Sequence, residues 1–198
     1  MLVESTTGET LRSPTVSTNL QRLAAQAAQH PDRVFTTLAH LIAKDFLQEA
    51  SHRTCTSSAP GSDGVTAQAY AAPLDTNLQD LYERLRSGRY QAPPVERVWR
   101  TKEEGGQRPI GQPACEDTMV QRAVVRLLAA IDAHDVHDGS YGLRRGRSPH
   151  GALRERRAPW LDKPMGWSGD AESSGGFDSM DRARLQRVVR DRINDGRI

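Results

Sequence analysis

Cysteine is scarce in this chain: Cys55 and Cys115 are the only two in 198 residues, and no Cys-x-x-Cys spacing occurs. That excludes a disulfide framework and a cysteine-built zinc site, and it fits a reducing compartment. Long apolar runs are missing too. No stretch approaches the roughly 18 apolar residues of a membrane span, and Met1-Leu2-Val3-Glu4-Ser5 lacks a charged segment followed by an apolar one. A cytoplasmic location is therefore expected. The GxxxxGK[ST], HExxH and GxSxG signatures are absent, which removes the nucleotide-hydrolase, zinc-protease and serine-hydrolase readings. His134-x-x-His137, flanked by Asp132, Asp135 and Asp138, has no firm third ligand and reads as surface histidines. Aromatic residues reach only 5% and hydrophobic residues 36%, against 26% charged, so a polar, helix-rich body is expected. A chain of this length still buries roughly 70% of its unfolded surface, enough for a core.

The formal net charge is only +2, but it is unevenly spread. Residues 1–80 carry five Lys+Arg against eight Asp+Glu, whereas residues 81–198 carry 22 against 17. Within the second part, Arg144, Arg145, Arg147, Arg154, Arg156 and Arg157 stand against a lone acid, Glu155. Such a cluster suits a phosphate backbone, and a solvated helix face is the bland alternative.

Residues 1–16 show no period and read as a loose tail. Ser17, Thr18 and Asn19 then offer N-caps for a helix burying Leu20, Leu23, Ala24 and Ala27, interrupted at Pro31. A second helix is expected to turn Val34, Leu38, Leu41, Ile42 and Phe46 inward. The cluster from Ser57 to Gly64 is a turn, with Gly61 and Gly64 free to take positive φ and Thr66 capping the next segment. Tyr70, Leu74, Leu78, Leu81 and Leu85 form a core stripe that Pro73 splits in two. Between Val95 and Gly111, extended runs around Glu103-Glu104-Gly105-Gly106 predict an antiparallel hairpin. The most apolar helix carries Met119, Val120, Ala123, Val124, Leu127, Leu128 and Ile131, and a last one from about Asp181 is expected to bury Leu185, Val188, Val189 and Ile193. The fold class is α+β, dominated by helices.

Several blocks resemble, in order, the N-terminal part of bacterial group II intron reverse transcriptases. The first runs from Pro31-Asp32-Arg33 to Ala59-Pro60-Gly61-Ser62-Asp63-Gly64-Val65-Thr66, and the second joins Leu85-Arg86-Ser87-Gly88-Arg89-Tyr90 to Arg97-Val98-Trp99 and Arg108-Pro109-Ile110-Gly111. Glu116-Asp117 through Val120-Gln121-Arg122-Ala123-Val124 continues the match. Ser140-Tyr141-Gly142-Leu143-Arg144-Arg145-Gly146-Arg147-Ser148 is similar to the family's Ser-Tyr-Gly-Phe-Arg-Pro-Gly-Arg-Ser block, with Leu143 and Arg145 as departures. Trp167-Ser168-Gly169-Asp170-Ala171-Glu172-Ser173 through Phe177-Asp178 resembles the first catalytic block of the palm.

The resemblance implies fingers over residues 95–164, preceded by a helical extension with the start of the fingers over 17–94 and followed by the start of a palm over 165–198. It implies that Lys102 and Arg108 grip a nucleotide triphosphate, that Phe177 polices the sugar, and that Arg144 and Arg147 meet template or phosphate. Arg154, Arg156 and Arg157 complete the nucleic-acid-binding set read from charge. The family's first metal-binding Asp is replaced by Glu172, and Ser173 stands where a backbone carbonyl touches the metal. The family uses Mg²⁺, and two-metal phosphoryl transfer holds its ions roughly 3.5–4 Å apart, so one extra methylene misplaces them. The chain ends at Ile198 before any Tyr-Ala-Asp-Asp block. Asp178 and Asp181 read as helix caps instead of metal ligands. A truncated polymerase, inactive alone and without productively bound Mg²⁺, is therefore expected, with intron RNA or an RNA/DNA template as partner. The alternatives are a non-catalytic intron-RNA-binding module and a decayed product.

Overall fold

The computed structural model describes residues 13–54, 60–101, 103, 105–142, 144, 146–162, 167, 169–173, 176 and 179–198, with only the backbone for 158–162. Cys55, Lys102, Arg145, Phe177 and Asp178 lie outside the described residues, as do residues 1–12. The described elements are α1 (Pro14–Gln29), a 3₁₀ turn (Ala39–Leu41), α2 (Lys44–His52), α3 (Ala67–Ala71), α4 (Leu74–Arg86), β1 (Glu96–Thr101), β2 (Gln107–Gln112), α5 (Cys115–Asp132), α6 (Pro149–Asp162) and α7 (Arg182–Arg192).

Helix α5 is the hub. Met119, Val120, Ala123, Leu127 and Ile131 recur at three- and four-residue steps and are buried. α1 and α2 pack on this helix, and α4 packs on α2. Phe46, Leu47, Leu78, Leu81, Leu127 and Ile131 are the large side chains withdrawn from water. Each such side chain contributes about 1.5–3 kcal/mol, so this cluster carries the fold.

An ion pair runs through the core edge. Arg126 Nη2 lies 2.7 Å from Glu49 Oε2, and Glu49 is almost fully buried. The Arg126 guanidinium sits 4.7 Å from the Phe46 ring centroid. The other Glu49 oxygen accepts from the Ser13 backbone N–H at 2.7 Å. That bond corrects the expected tail boundary. α1 starts at Pro14, not after residue 16, because proline is pre-set for the first helical position and Ser13 is tied to α2.

The expected second helix is also shorter than its pattern. Leu38, Ile42 and Phe46 are buried, but Val34 is exposed and regular helix begins only at Lys44. Asp195 explains the break. Its Oδ2 accepts from the N–H groups of Leu38 and Ala39 at 2.6 and 2.8 Å, so these donors are satisfied by a tail carboxylate and only a 3₁₀ turn forms. Thr66 caps α3 by accepting from Ala69 N–H, and Pro73 separates α3 from α4, both as expected.

α7 forms where predicted, with Asp181 Oδ1 accepting from the N–H groups of Ala183 and Arg184. Its packing differs from expectation. Leu185, Val188 and Val189 are exposed, and only Ile193 is buried. The helix is attached at its C-terminal end. Phe35 and Ile193 form a parallel bridge, and Arg192 Nη1 donates to the carbonyls of His30, Pro31 and Arg33. The same guanidinium lies over Phe35 and 3.3 Å from Asp135. No described element packs extensively on the rest of the helix, so Leu185, Val188 and Val189 stay largely in water.

Candidate nucleic-acid interface

The hairpin forms in the expected place. Arg97 pairs with Gly111, Val98 with Ile110, Trp99 with Pro109 and Arg100 with Arg108. Gly105 and Gly106 close it at φ +85°, a conformation side chains resist. Directly opposed residues share a face, so Arg100 and Arg108 project together while Arg97 and Trp99 occupy the other side. Both strands are exposed almost throughout. Opposed like charges destabilise a sheet, and neither arginine has a carboxylate partner among the described residues. An anion relieves that repulsion. Arg100 is the residue sequence reasoning missed, because only the strand register reveals that it faces Arg108.

Pro60, Gly61 and Ser62 prove to be the brace of this hairpin. A Cβ on Gly61 would stand 2.6 Å from the Ala114 backbone, so only glycine lets the loop lie against the start of α5. Gly64 takes the expected positive φ, whereas Gly61 does not: its need is space. Ser62 Oγ donates to the Pro94 carbonyl, and Gln112 Nε2 donates to that of Pro60. These bonds hold both hairpin ends.

Beneath the hairpin, α4 and α5 share a polar network. Arg84 reaches Glu116 at 2.8 Å, Tyr90 donates to Asp117 at 3.0 Å, and Gln121 donates to the second Asp117 oxygen at 2.7 Å. Tyr70 donates more loosely to Glu116 at 3.4 Å. Burial first, then the adjoining carboxylates, push both tyrosine hydroxyls well above the usual range, so they remain donors. The network is structural, fixing where the hairpin leaves the body.

The arginine cluster divides by role. Arg144 Nη1 donates to the carbonyls of His137 and Ser140 at 3.0 and 3.1 Å. Arg147 stacks on Tyr141 with 5.1 Å to the centroid, donates to its hydroxyl, and pairs with Asp138 at 3.4 Å. These two hold the loop that leads into α6. Ser148 Oγ accepts from Gly151 N–H and caps α6 one residue before Pro149. His137 belongs to the same turn, its Nδ1 accepting from Gly139 N–H.

Arg154, Arg156 and Arg157 are exposed on α6. At 3.6 residues per turn, Arg154 and Arg157 lie about 60° apart around the axis, whereas Arg156 lies roughly 160° from Arg154. One phosphate run can therefore meet Arg154 and Arg157 together but not all three. Leu153, exposed, borders the pair. Sequence counting could not separate these directions without knowing that the segment is helical.

The palm residues take no regular form. Trp167 is 85% exposed, and Gly169, Asp170, Ala171, Glu172 and Ser173 are exposed, irregular backbone. No strand forms at the described residues of this segment. Gly169 and Ser173 have little strand preference, and no described strand offers a ladder. Lys102 and Phe177 lie outside the described residues, so Arg108, Glu172 and Ser173 are the expected nucleotide and metal residues that can be placed.

No helix among the described residues is long and apolar enough to cross a membrane. No protein-family model matches the chain. It is 36% identical over 189 residues to Protein YkfC of Escherichia coli K12, covering 92% of this chain and 50% of that protein. Identity to the group II intron-encoded protein LtrA of Lactococcus lactis subsp. cremoris is 26% over 181 residues, covering 89% and 29%. A 91 kDa protein in the cob intron of Schizosaccharomyces pombe matches at 24% over 189 residues, covering 94% and 23%. The chain thus spans half or less of the length of these curated relatives. Along about nine-tenths of its residues the chain is thus similar to intron-encoded proteins, which supports a family related to group II intron reverse transcriptases and maturases.

Proposed function

We propose that this chain is the fingers-bearing part of a group II intron-type reverse transcriptase and that its own activity is binding intron RNA, with polymerisation not carried by these residues alone. The observation that carries the reading is the outward pair Arg154 and Arg157 on a helix whose neighbouring loop is pinned by two further arginines. The facing Arg100 and Arg108 add a second anionic contact, fitting a nucleotide or strand phosphate on the hairpin. A well-filled core around α5 favours a retained function over a decayed product.

The residues present do not fit a two-metal centre. Among the described residues no three His, Cys, Asp or Glu side chains converge, and Glu172 stands exposed on irregular backbone. Bridging two ions needs carboxylates fixed by surrounding structure, so no polymerisation step is derived from this chain. The test is filter binding of structured RNA by the purified 198-residue protein over a salt series. Salt-sensitive binding supports the reading, and absence of binding at low salt overturns it.

A further inference from the structure

A cavity of about 320 Å³ opens between the end of α4, the 3₁₀ turn and the tail after α7. None of its lining residues belongs to the hairpin, the 144–157 cluster or the palm segment. Its apolar surface is Ile42, buried, with the half-buried Leu85 and Tyr82. Its polar groups are the Tyr82 hydroxyl, His40, Arg86 and Arg197, and no carboxylate among the described residues lines it. Arg86 and Tyr82 have no hydrogen-bond partner among the described residues. The nearby acid, Asp195, is committed: it caps Leu38 and Ala39, accepts from the Arg197 N–H, and lies 3.6 Å from Arg197 Nε.

Three separate segments, at residues 40, 86 and 197, bring their cationic or donor groups to one cleft. The C-terminal end of α4 favours a cation at Arg86, but the helix does not account for the second guanidinium arriving from the tail. Arg86 has no carboxylate partner among the described residues and Arg197 shares its own with two backbone caps, so the cleft carries excess positive charge, and planar Arg suits phosphate. The Tyr82 ring and Leu85 offer a flat apolar surface, and the volume lies at the small end of ligand sites. We infer that this cavity binds a phosphorylated nucleoside, with its phosphate between Arg86 and Arg197 and its base against Tyr82 and Leu85.

The chemistry is shared by a free nucleotide and by the end of an RNA strand, and calorimetric titration of the full chain separates them. The probes are AMP, UMP, a 5′-phosphorylated tetraribonucleotide and inorganic phosphate. AMP and UMP are expected to bind, and Arg86→Gln and Arg197→Gln each to weaken them about tenfold, as loss of a charge-assisted hydrogen bond does. Arg86→Lys, which keeps charge but loses the fork, is expected to fall between. Tighter binding of the tetranucleotide than of UMP assigns the site to an RNA strand, and equal or weaker binding assigns it to free nucleotide. Arg154→Gln/Arg157→Gln leaves these affinities unchanged, so the cavity and the α6 surface succeed or fail separately. Both tested arginines are exposed, and circular dichroism checks that the variants keep their helices. No binding of AMP or UMP up to about 10 mM, unchanged affinity in both Gln variants, or inorganic phosphate binding as tightly as AMP overturns the inference.

Discussion

If α6 lies along a phosphate backbone, the angular separation of its arginines sets the outcome of neutralising them. Arg154 and Arg157 share a face and Arg156 does not, so the double change Arg154→Gln/Arg157→Gln removes two contacts while Arg156→Gln removes none. Each phosphate contact contributes about 0.7 to 0.9 to the slope of log affinity against log salt, so the double variant is expected to lower that slope by about 1.4 to 1.8. That electrostatic contribution vanishes near 1 M salt, which makes the loss at about 0.1 M roughly 25- to 60-fold. Arg156→Gln is expected to change the slope by less than about 0.3. The assay is filter binding to one structured RNA between about 0.05 and 0.5 M salt, with melting temperature and circular dichroism as fold controls. All three side chains are exposed, so stability stays near that of the parent protein. An Arg156→Gln effect equal to that of Arg154→Gln refutes the one-face argument, and an unchanged slope in the double variant refutes phosphate contact by α6 altogether.

Glu49→Ala leaves Arg126 without its anion at the core edge and is expected to cost about 3–5 kcal/mol in urea denaturation; a loss under about 1 kcal/mol would show that Arg126 finds water or another partner. For Asp195, burial alone raises the carboxyl pKa, but the N–H groups of Ala39, Leu38 and Arg197 and the Arg197 charge outweigh it and hold the value below the usual 3.8. A depressed folded pKa stabilises above the unfolded value and loses that contribution as pH falls through the folded one. Asp195→Asn should therefore lower stability at neutral pH, by about 1.5–3 kcal/mol, and flatten its decline below about pH 4; parallel curves for parent and variant between pH 2 and 6 would disprove the clasp. Primer extension on an RNA template by this chain alone, with Mg²⁺ or Mn²⁺, is expected to give no product, and the amides of Ala171 and Glu172 are expected to exchange rapidly. Sustained synthesis would overturn the binding-only reading, and slow exchange would mean that another element covers this segment.

Much of the helical layout was legible in the chain itself, because local chemistry specifies it. The three- and four-residue spacing of Met119, Val120, Ala123, Leu127 and Ile131 needs no partner to mark a buried face, and Thr66, Pro73 and Asp181 act within a few residues of where they stand. The hairpin was equally local, since Gly105 and Gly106 supply its reversal. The family resemblance was readable for a related reason: its blocks sit at turns and caps, such as Gly61 against Ala114 and Ser148 before Pro149, where few residues satisfy the geometry.

Contacts between distant segments were not legible. Leu185, Val188 and Val189 have the period of a buried face, yet periodicity states which side of a helix is apolar and not whether anything covers it. The run from Val34 to Phe46 looked like one helix until Asp195, more than 150 residues away, took the N–H groups of Leu38 and Ala39. Charge counting grouped five arginines as one surface, but hydrogen bonds to His137, Ser140 and Tyr141 hold two in a loop and helical rotation turns Arg156 from the other two. The facing of Arg100 and Arg108 and the meeting of Arg86 with Arg197 arise only when separate segments are brought together. Local sequence determined which elements form, because caps, turns and periods act over a few residues; the tertiary structure decided which faces stay in water and which cations share a site, because burial and charge depend on neighbours that sequence distance does not reveal.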